Sequence, residues 1–149
     1  MVNMMREILF RGKRIDNGEW VQGDLLQNVD CLKIREQEKD IKHIARSFAV
    51  LPETVGQYTG LTDKNGTKIF EGDILKIYGL KPMYVHFNGE TLTWEMINVG
   101  VPIFEVNHLL NTIDLAWVHQ EAAIGEIRTE VIGNIHDNPE LLKGDDYNA

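Results

Sequence analysis

Three Asn-Gly dipeptides, Asn17-Gly18, Asn65-Gly66 and Asn88-Gly89, each stand between short runs in which apolar and polar residues alternate. Asn-Gly tolerates the positive φ angles of a type I′ turn, whose twist suits two flanking antiparallel strands. The first dipeptide predicts a hairpin with strands near residues 7–14 and 19–26, with Ile8, Phe10 and Trp20 as its apolar bulk. The second lies in the turn Asp63-Lys64-Asn65-Gly66. An extended stretch at 55–59 precedes it, and a strand at 68–70 follows, which Glu71-Gly72-Asp73 interrupts and 74–78 continues. The third joins strands at 83–87 and 91–97, the latter carrying Trp94. Alternating runs at 32–35, 104–107 and 130–135, and the run at 47–51, predict further short strands.

The first two hairpins share an echo. After the turn, each continues with two apolar residues, a polar residue, Gly-Asp and two more apolar residues, at Gly23-Asp24 and Gly72-Asp73. A glycine inside a strand pattern permits a bulge or bend, and an aspartate can bond backbone N–H groups there. Such bends let short strands curl toward a small barrel.

Helical signals are few and late. Ile113, Ala116 and Trp117 share a face by helical spacing, with Asn111 or Thr112 as cap and Asp114 at the positive end, so 111–121 is expected to be helical. Asn138-Pro139-Glu140 predicts a short helical turn. The charged run at 36–40 reads as a solvated loop, Ile41, Ile44 and Ala45 leave a helical turn open after it, and 144–149 reads as a frayed tail. The expected class is mainly β, or β-rich α+β. Short antiparallel hairpins form a small bent sheet or partly open barrel, with one or two short helices near the C-terminus. At 149 residues the chain suits one domain over 1–149 with one shared core, and 79–82 is where two subdomains would part.

The net charge of −8 repels phosphate backbones and disfavours nucleic acid as a partner. Arg6, Arg11, Lys13 and Arg14 form the best local basic patch, and edge protection of a strand explains them most simply. The single cysteine, Cys31, fits a reducing compartment and a packing role. No run of about 18 apolar residues predicts a membrane span, and the first ten residues do not form a signal peptide, so a cytoplasmic location is expected.

Catalytic signatures are missing. His43, His86, His108, His119 and His136 lack zinc-site spacing. Asp63 could open a calcium loop, but Ile74 stands where the bidentate glutamate belongs. No phosphate loop, dinucleotide fingerprint or nucleophile elbow is present, and no cofactor or metal is expected. Asp24 and Asp73 could form a carboxylate pair if the two hairpin units packed symmetrically, although two Asp-stabilised bends far apart explain them more simply.

The strings ILFRGKRIDNGEWVQGDL, PETVGQYTGLTDKNGTKIFEGDIL and EVIGNIHDNPELL resemble the YopX family of phage and prophage proteins in order and spacing. The stretches at 27–47 and 79–128 resemble it only loosely. The resemblance implies a small, mostly β protein carried on bacterial mobile elements. It implies no enzyme activity and carries over no catalytic residues. The leading expectation is a non-enzymatic binding protein that associates with itself or with a host or phage protein. The alternatives are a nucleic-acid-associated replication or regulatory protein, and an enzyme with a carboxylate-based site. Tyr58 and Glu71 are the residues least explained by turn chemistry, and with Asp24 and Asp73 they are the candidate surface or site residues.

Overall fold

The computed structural model describes residues 6–37, 40–42, 44–77, 81–98, 112–115 and 129–142. The strands are β1 (Phe10–Lys13), β2 (Trp20–Gln27), β3 (Leu32–Arg35), β4 (Ser47–Ala49), β5 (Gly56–Thr62), β6 (Lys68–Phe70), β7 (Asp73–Ile77), β8 (Met83–Asn88), β9 (Thr93–Asn98), β10 (Thr112–Asp114) and β11 (Thr129–Asn134). Two single 3-10 turns, Pro52–Thr54 and Pro139–Leu142, complete the described elements. The protein is β-rich, and the described residues form two antiparallel sheets and no closed barrel. The chain forms two compact units, Met1–Gly60 and Leu61–Ala149, so the division falls inside β5.

In the first unit the strands lie in the order β4-β3-β2-β1-β5. The first half of β2 pairs with β1, from Lys13↔Trp20 to Phe10↔Gly23. Its second half pairs with β3, from Asp24↔Arg35 to Gln27↔Leu32. The handover occurs at Gly23, where a Cβ would lie 1.9 Å from the Arg35 carbonyl oxygen. Only glycine lets the two backbones approach that closely. The sheet then curls back on itself. Ile15 N–H donates to Ala49 O (3.0 Å) and Leu51 N–H to Lys13 O (2.8 Å), framing an Arg14↔Val50 bridge. The concave side holds Val21, Ile34 and Val50, flanked by Phe10, Leu25, Leu32, Phe48 and Val55. Cys31 is half-buried in the β2–β3 hairpin, where its carbonyl accepts Asn28 N–H. Ile41 and Ile44 are exposed, and Lys42 N–H bonds to Asp40 Oδ1 in a loop turn.

The second unit is built on the sheet β10-β9-β8-β7-β11. Its core gathers Ile69, Leu75, Ile77, Met83, Val85, Met96 and Leu115, with Leu61, Trp94 and Val131 packed alongside. Phe87 and Trp94, opposite each other across β8 and β9, bring their rings to 5.0 Å. The expected helix at 111–121 is corrected at its start. Residues 112–114 are extended and pair with β9, from Thr112↔Ile97 to Asp114↔Glu95. Two β-branched residues beside an edge with unpaired backbone groups favour the strand over a weak helical spacing. Leu115, the next residue, is helical and buried, while residues 111 and 116–121, the strand expected at 104–107, Tyr78, residues 79–80 and the tail at 144–149 lie outside the described residues.

All three Asn-Gly sites are turns, but none is type I′, which needs two successive positive φ angles. At the first, Gly18 alone is left-handed (φ 73°), and Asn17 Oδ1 accepts Glu19 N–H at 2.9 Å. At the second, Gly66 alone is left-handed (φ 80°). At the third, Asn88 is itself a strand residue opposite Thr93. Its Oδ1 accepts the N–H groups of Glu90 and Thr91, and the left-handed position falls on Leu92 (φ 57°). Leu92 is 75% exposed, so its side chain gives little packing in return for that strain. Replacing Leu92 by glycine is expected to stabilise the second unit by about 1 kcal/mol, measured as a rise in the thermal midpoint.

Candidate functional site

The four candidate residues read from the sequence divide between the units. Asp24 is exposed on β2, opposite Arg35, and accepts Gln37 Nε2 at 3.2 Å. Tyr58 is only 8% exposed, so it belongs to the interior and offers no open surface. Glu71 lies in the β6–β7 turn of the second unit and Asp73 opens β7 directly after it. Asp73 is 1% exposed and its Oδ2 accepts Phe70 N–H at 2.8 Å. The Gly-Asp echo is not repeated in three dimensions. Gly72 is left-handed (φ 91°) in a tight turn, whereas Gly23 lies in regular pairing with Phe10.

Other motif residues have firm structural tasks. Asp63 is buried, and its Oδ1 accepts the N–H groups of Asn65 and Thr67 while Oδ2 accepts Val131 N–H, each at 2.9 Å. Burial pushes this carboxyl up, but the backbone donors at Val131, Thr67 and Asn65 outweigh it and hold it below the usual carboxylate range. Near the C-terminus, Asn134 Oδ1 accepts His136 and Asp137 N–H, and Asn138 Oδ1 accepts Asn134 N–H. Gly133 leaves room for that amide, since a Cβ there would lie 2.4 Å from Asn138 Oδ1.

One polar group escaped the sequence reading. His86 Nδ1 and Glu95 Oε1 lie 3.2 Å apart, and Asn88 Nδ2 donates to Glu95 Oε2 at 3.3 Å. Glu95 is 5% exposed, so this carboxylate is buried but partnered. Tyr84, on the same strand face as His86, has its phenol pushed up by burial and then by the Glu95 charge. The hairpin register carries the signal, because residues 86 and 95 stand equally far from the 89–92 loop. Among the described residues, no group of three or more His, Cys, Asp or Glu is placed to hold a metal ion.

The convex side of the first unit is different in kind. Strand alternation puts Arg11, Lys13, Trp20 and Gln22 on the side opposite the Val21 core. The Arg11 guanidinium lies 4.7 Å above the Trp20 ring and Lys13 Nζ lies 5.7 Å from it. Both fall within cation–π range. Lys33, opposite Leu26, adds a further cation on the convex side of β3. A second cation–aromatic group places Arg14 at 4.0 Å and Arg46 at 5.3 Å from the Phe48 ring. Arg14 also grips Asp16 through two hydrogen bonds (2.9 and 2.6 Å), which hold the Asp16 carboxyl below its usual range. Beside them is a hollow of about 280 Å³ lined by Ile15, Asp16, Ser47, Phe48 and Ala49.

Charge is divided unevenly along the chain. Residues 1–60 contain nine basic and nine acidic side chains, whereas 61–149 contain six and fourteen. The whole net charge of −8 therefore belongs to the second unit. The repulsion that disfavours anionic partners for the chain as a whole has no source in the first unit's own net charge.

Two antiparallel sheets, turns fixed by aspartate and asparagine side chains, and a cation–aromatic face define a small β protein whose sequence motifs chiefly build its turns. The chain belongs to the YopX protein family, whose profile matches residues 9–143. It is similar in fold to the crystal structure of protein EF1440 from Enterococcus faecalis. That likeness has a TM-score of 0.51 and 24% identity, covering 93% of this chain and 99% of the other. No curated protein matches the chain. Among the described residues, no helix is long and apolar enough to cross a membrane.

Proposed function

We propose that this chain is a non-enzymatic binding protein that receives an anionic partner on the convex face of β1 and β2. The observation that carries the reading is the pair of cations, Arg11 and Lys13, gathered on Trp20 in a unit without net negative charge. Tryptophan and arginine are the residues most enriched where binding energy concentrates. Family membership supports a phage or prophage accessory role in the cytoplasm of a bacterial host, and the single cysteine suits that compartment.

Retention on immobilised heparin tests the reading. The protein is expected to bind at low salt despite its pI of about 5.1 and to elute as salt rises. A double variant, Arg11→Ala with Lys13→Ala, should pass through. A control pair in the second unit, Lys64→Ala with Lys76→Ala, should be retained like the parent. Equal retention of both pairs, or no retention of the parent protein, would overturn the proposal.

A further inference from the structure

We infer that the anionic occupant of this face is a single-stranded nucleic acid, held by base stacking as well as by phosphate contacts. The inference rests on the reading of the face given above and adds the chemistry of the partner.

The first consideration is that the cations of the face are spread over two strand pairs, with only Arg11 and Lys13 beside the Trp20 ring. Binding through phosphates alone needs a broad basic surface, because affinity grows with the number of phosphates neutralised. The first unit has as many acidic as basic side chains, and Asp24 stands among the cations on the convex side. Beside the Trp20 ring, phosphate attraction is local and comes from Arg11 and Lys13, while Lys33 and Arg35 lie farther along the same side, on β3. A duplex, which hides its base faces and presents phosphates, is poorly served by such a surface.

The second consideration is what the ring adds. Trp20 is half-buried, and Arg11 and Lys13 reach its ring from the paired strand β1. A ring face extended by a guanidinium is a stacking platform for an unpaired base, and the same cations sit where the flanking phosphates pass. Stacking on an aromatic side chain adds binding that does not depend on charge, which compensates for the few cations beside the ring. An acidic peptide would offer charge to Arg11 and Lys13 but no flat partner for the ring. The strand also limits the footprint. β1 has four residues, about 13 Å at strand rise, which suits a site near four nucleotides, the short end of the range for small β folds.

The test is titration of the full chain against three fluorescent probes at low salt: a twelve-residue oligothymidylate, a duplex of equal length and a polyglutamate peptide. The oligothymidylate is expected to bind at least tenfold more tightly than the other two. Its log affinity should fall with log salt at a slope of about −1.4, as two single-strand phosphate contacts require. Trp20→Ala should weaken binding about tenfold or more, and Trp20→Phe, which keeps a ring face, should stay within about threefold of the parent. If Trp20→Ala fails to fold, the Trp20→Phe result and the salt slope decide. Duplex binding as tight as single-strand binding, or preference for polyglutamate, overturns the inference while leaving heparin retention intact. Loss of heparin retention overturns the underlying reading as well.

Discussion

Gly23→Ala should destabilise the protein by about 3 kcal/mol or more, the largest effect expected of any single methyl group added to the first unit. The new Cβ would lie 1.9 Å from Arg35 O and 2.7 Å from Arg35 C, and both are backbone atoms of the paired strand. A flexible side chain could swing aside, but a strand can only separate. Separation would break the register from Asp24↔Arg35 to Gln27↔Leu32 and open the cluster around Ile34, which is fully buried. Urea unfolding monitored by circular dichroism gives the measurement. Gly89→Ala is the matched control, because a Cβ there meets nothing within 4 Å and the backbone is not left-handed. Its stability should stay within about 0.5 kcal/mol of the parent. Similar losses in both variants would show that the close approach of β2 and β3 is not the cause.

Asp63→Ala should cost about 3 kcal/mol and should also change how the protein responds to acid. The substitution leaves three backbone N–H groups, those of Asn65, Thr67 and Val131, without their acceptor. Two of these shape the turn between β5 and β6, and the third fastens that turn to β11, so one carboxylate links local and distant structure. The folded state holds this carboxyl below its ordinary value. Its contribution is therefore complete above the unfolded-chain value of about 4 and is lost as pH falls through the lower folded-state value. The stability gap between parent and Asp63→Ala should be widest near pH 6 and should shrink below about pH 4. A gap that stays constant over that range would contradict the assignment. Asp63→Asn should retain some acceptor capacity and fall between the two.

Much of the fold was legible because turn chemistry is local. Asn17-Gly18 and Asp63-Lys64-Asn65-Gly66 marked hairpins correctly, since glycine at a left-handed position and an acceptor side chain near it suffice to reverse a chain. The turn type was not legible, because the asparagine backbones stayed in ordinary φ space while the Asn17 and Asn88 side chains, and Asp63 at the second site, served as acceptors. At Asn88-Gly89 the strand ran one residue further than the dipeptide implied, and Leu92 took the strained position. The start of the expected helix failed for a nonlocal reason, since the edge of β9 was available for 112–114 to join. Candidate residues fared differently. Tyr58 and Asp73 are conspicuous in sequence, yet both are buried, and conspicuous residues in this chain mostly build its bends. The His86–Glu95 contact and the Arg11–Lys13–Trp20 group depend on cross-strand register, which composition cannot supply.

The division of charge was hidden for another reason. A net charge of −8 describes the chain as a whole and argues against anionic partners. Only the boundary between Gly60 and Leu61 shows that the first unit is balanced and the second carries the excess. The most direct measurement is therefore a residue-resolved one. Amide and indole chemical shifts of the isotopically labelled chain should be followed as a short heparin oligosaccharide is added at low salt. The proposed face predicts that the largest changes cluster at Arg11, Lys13, the Trp20 indole and Gln22 and saturate together. Changes confined to residues 61–149, or spread evenly over both units without saturation, would contradict it.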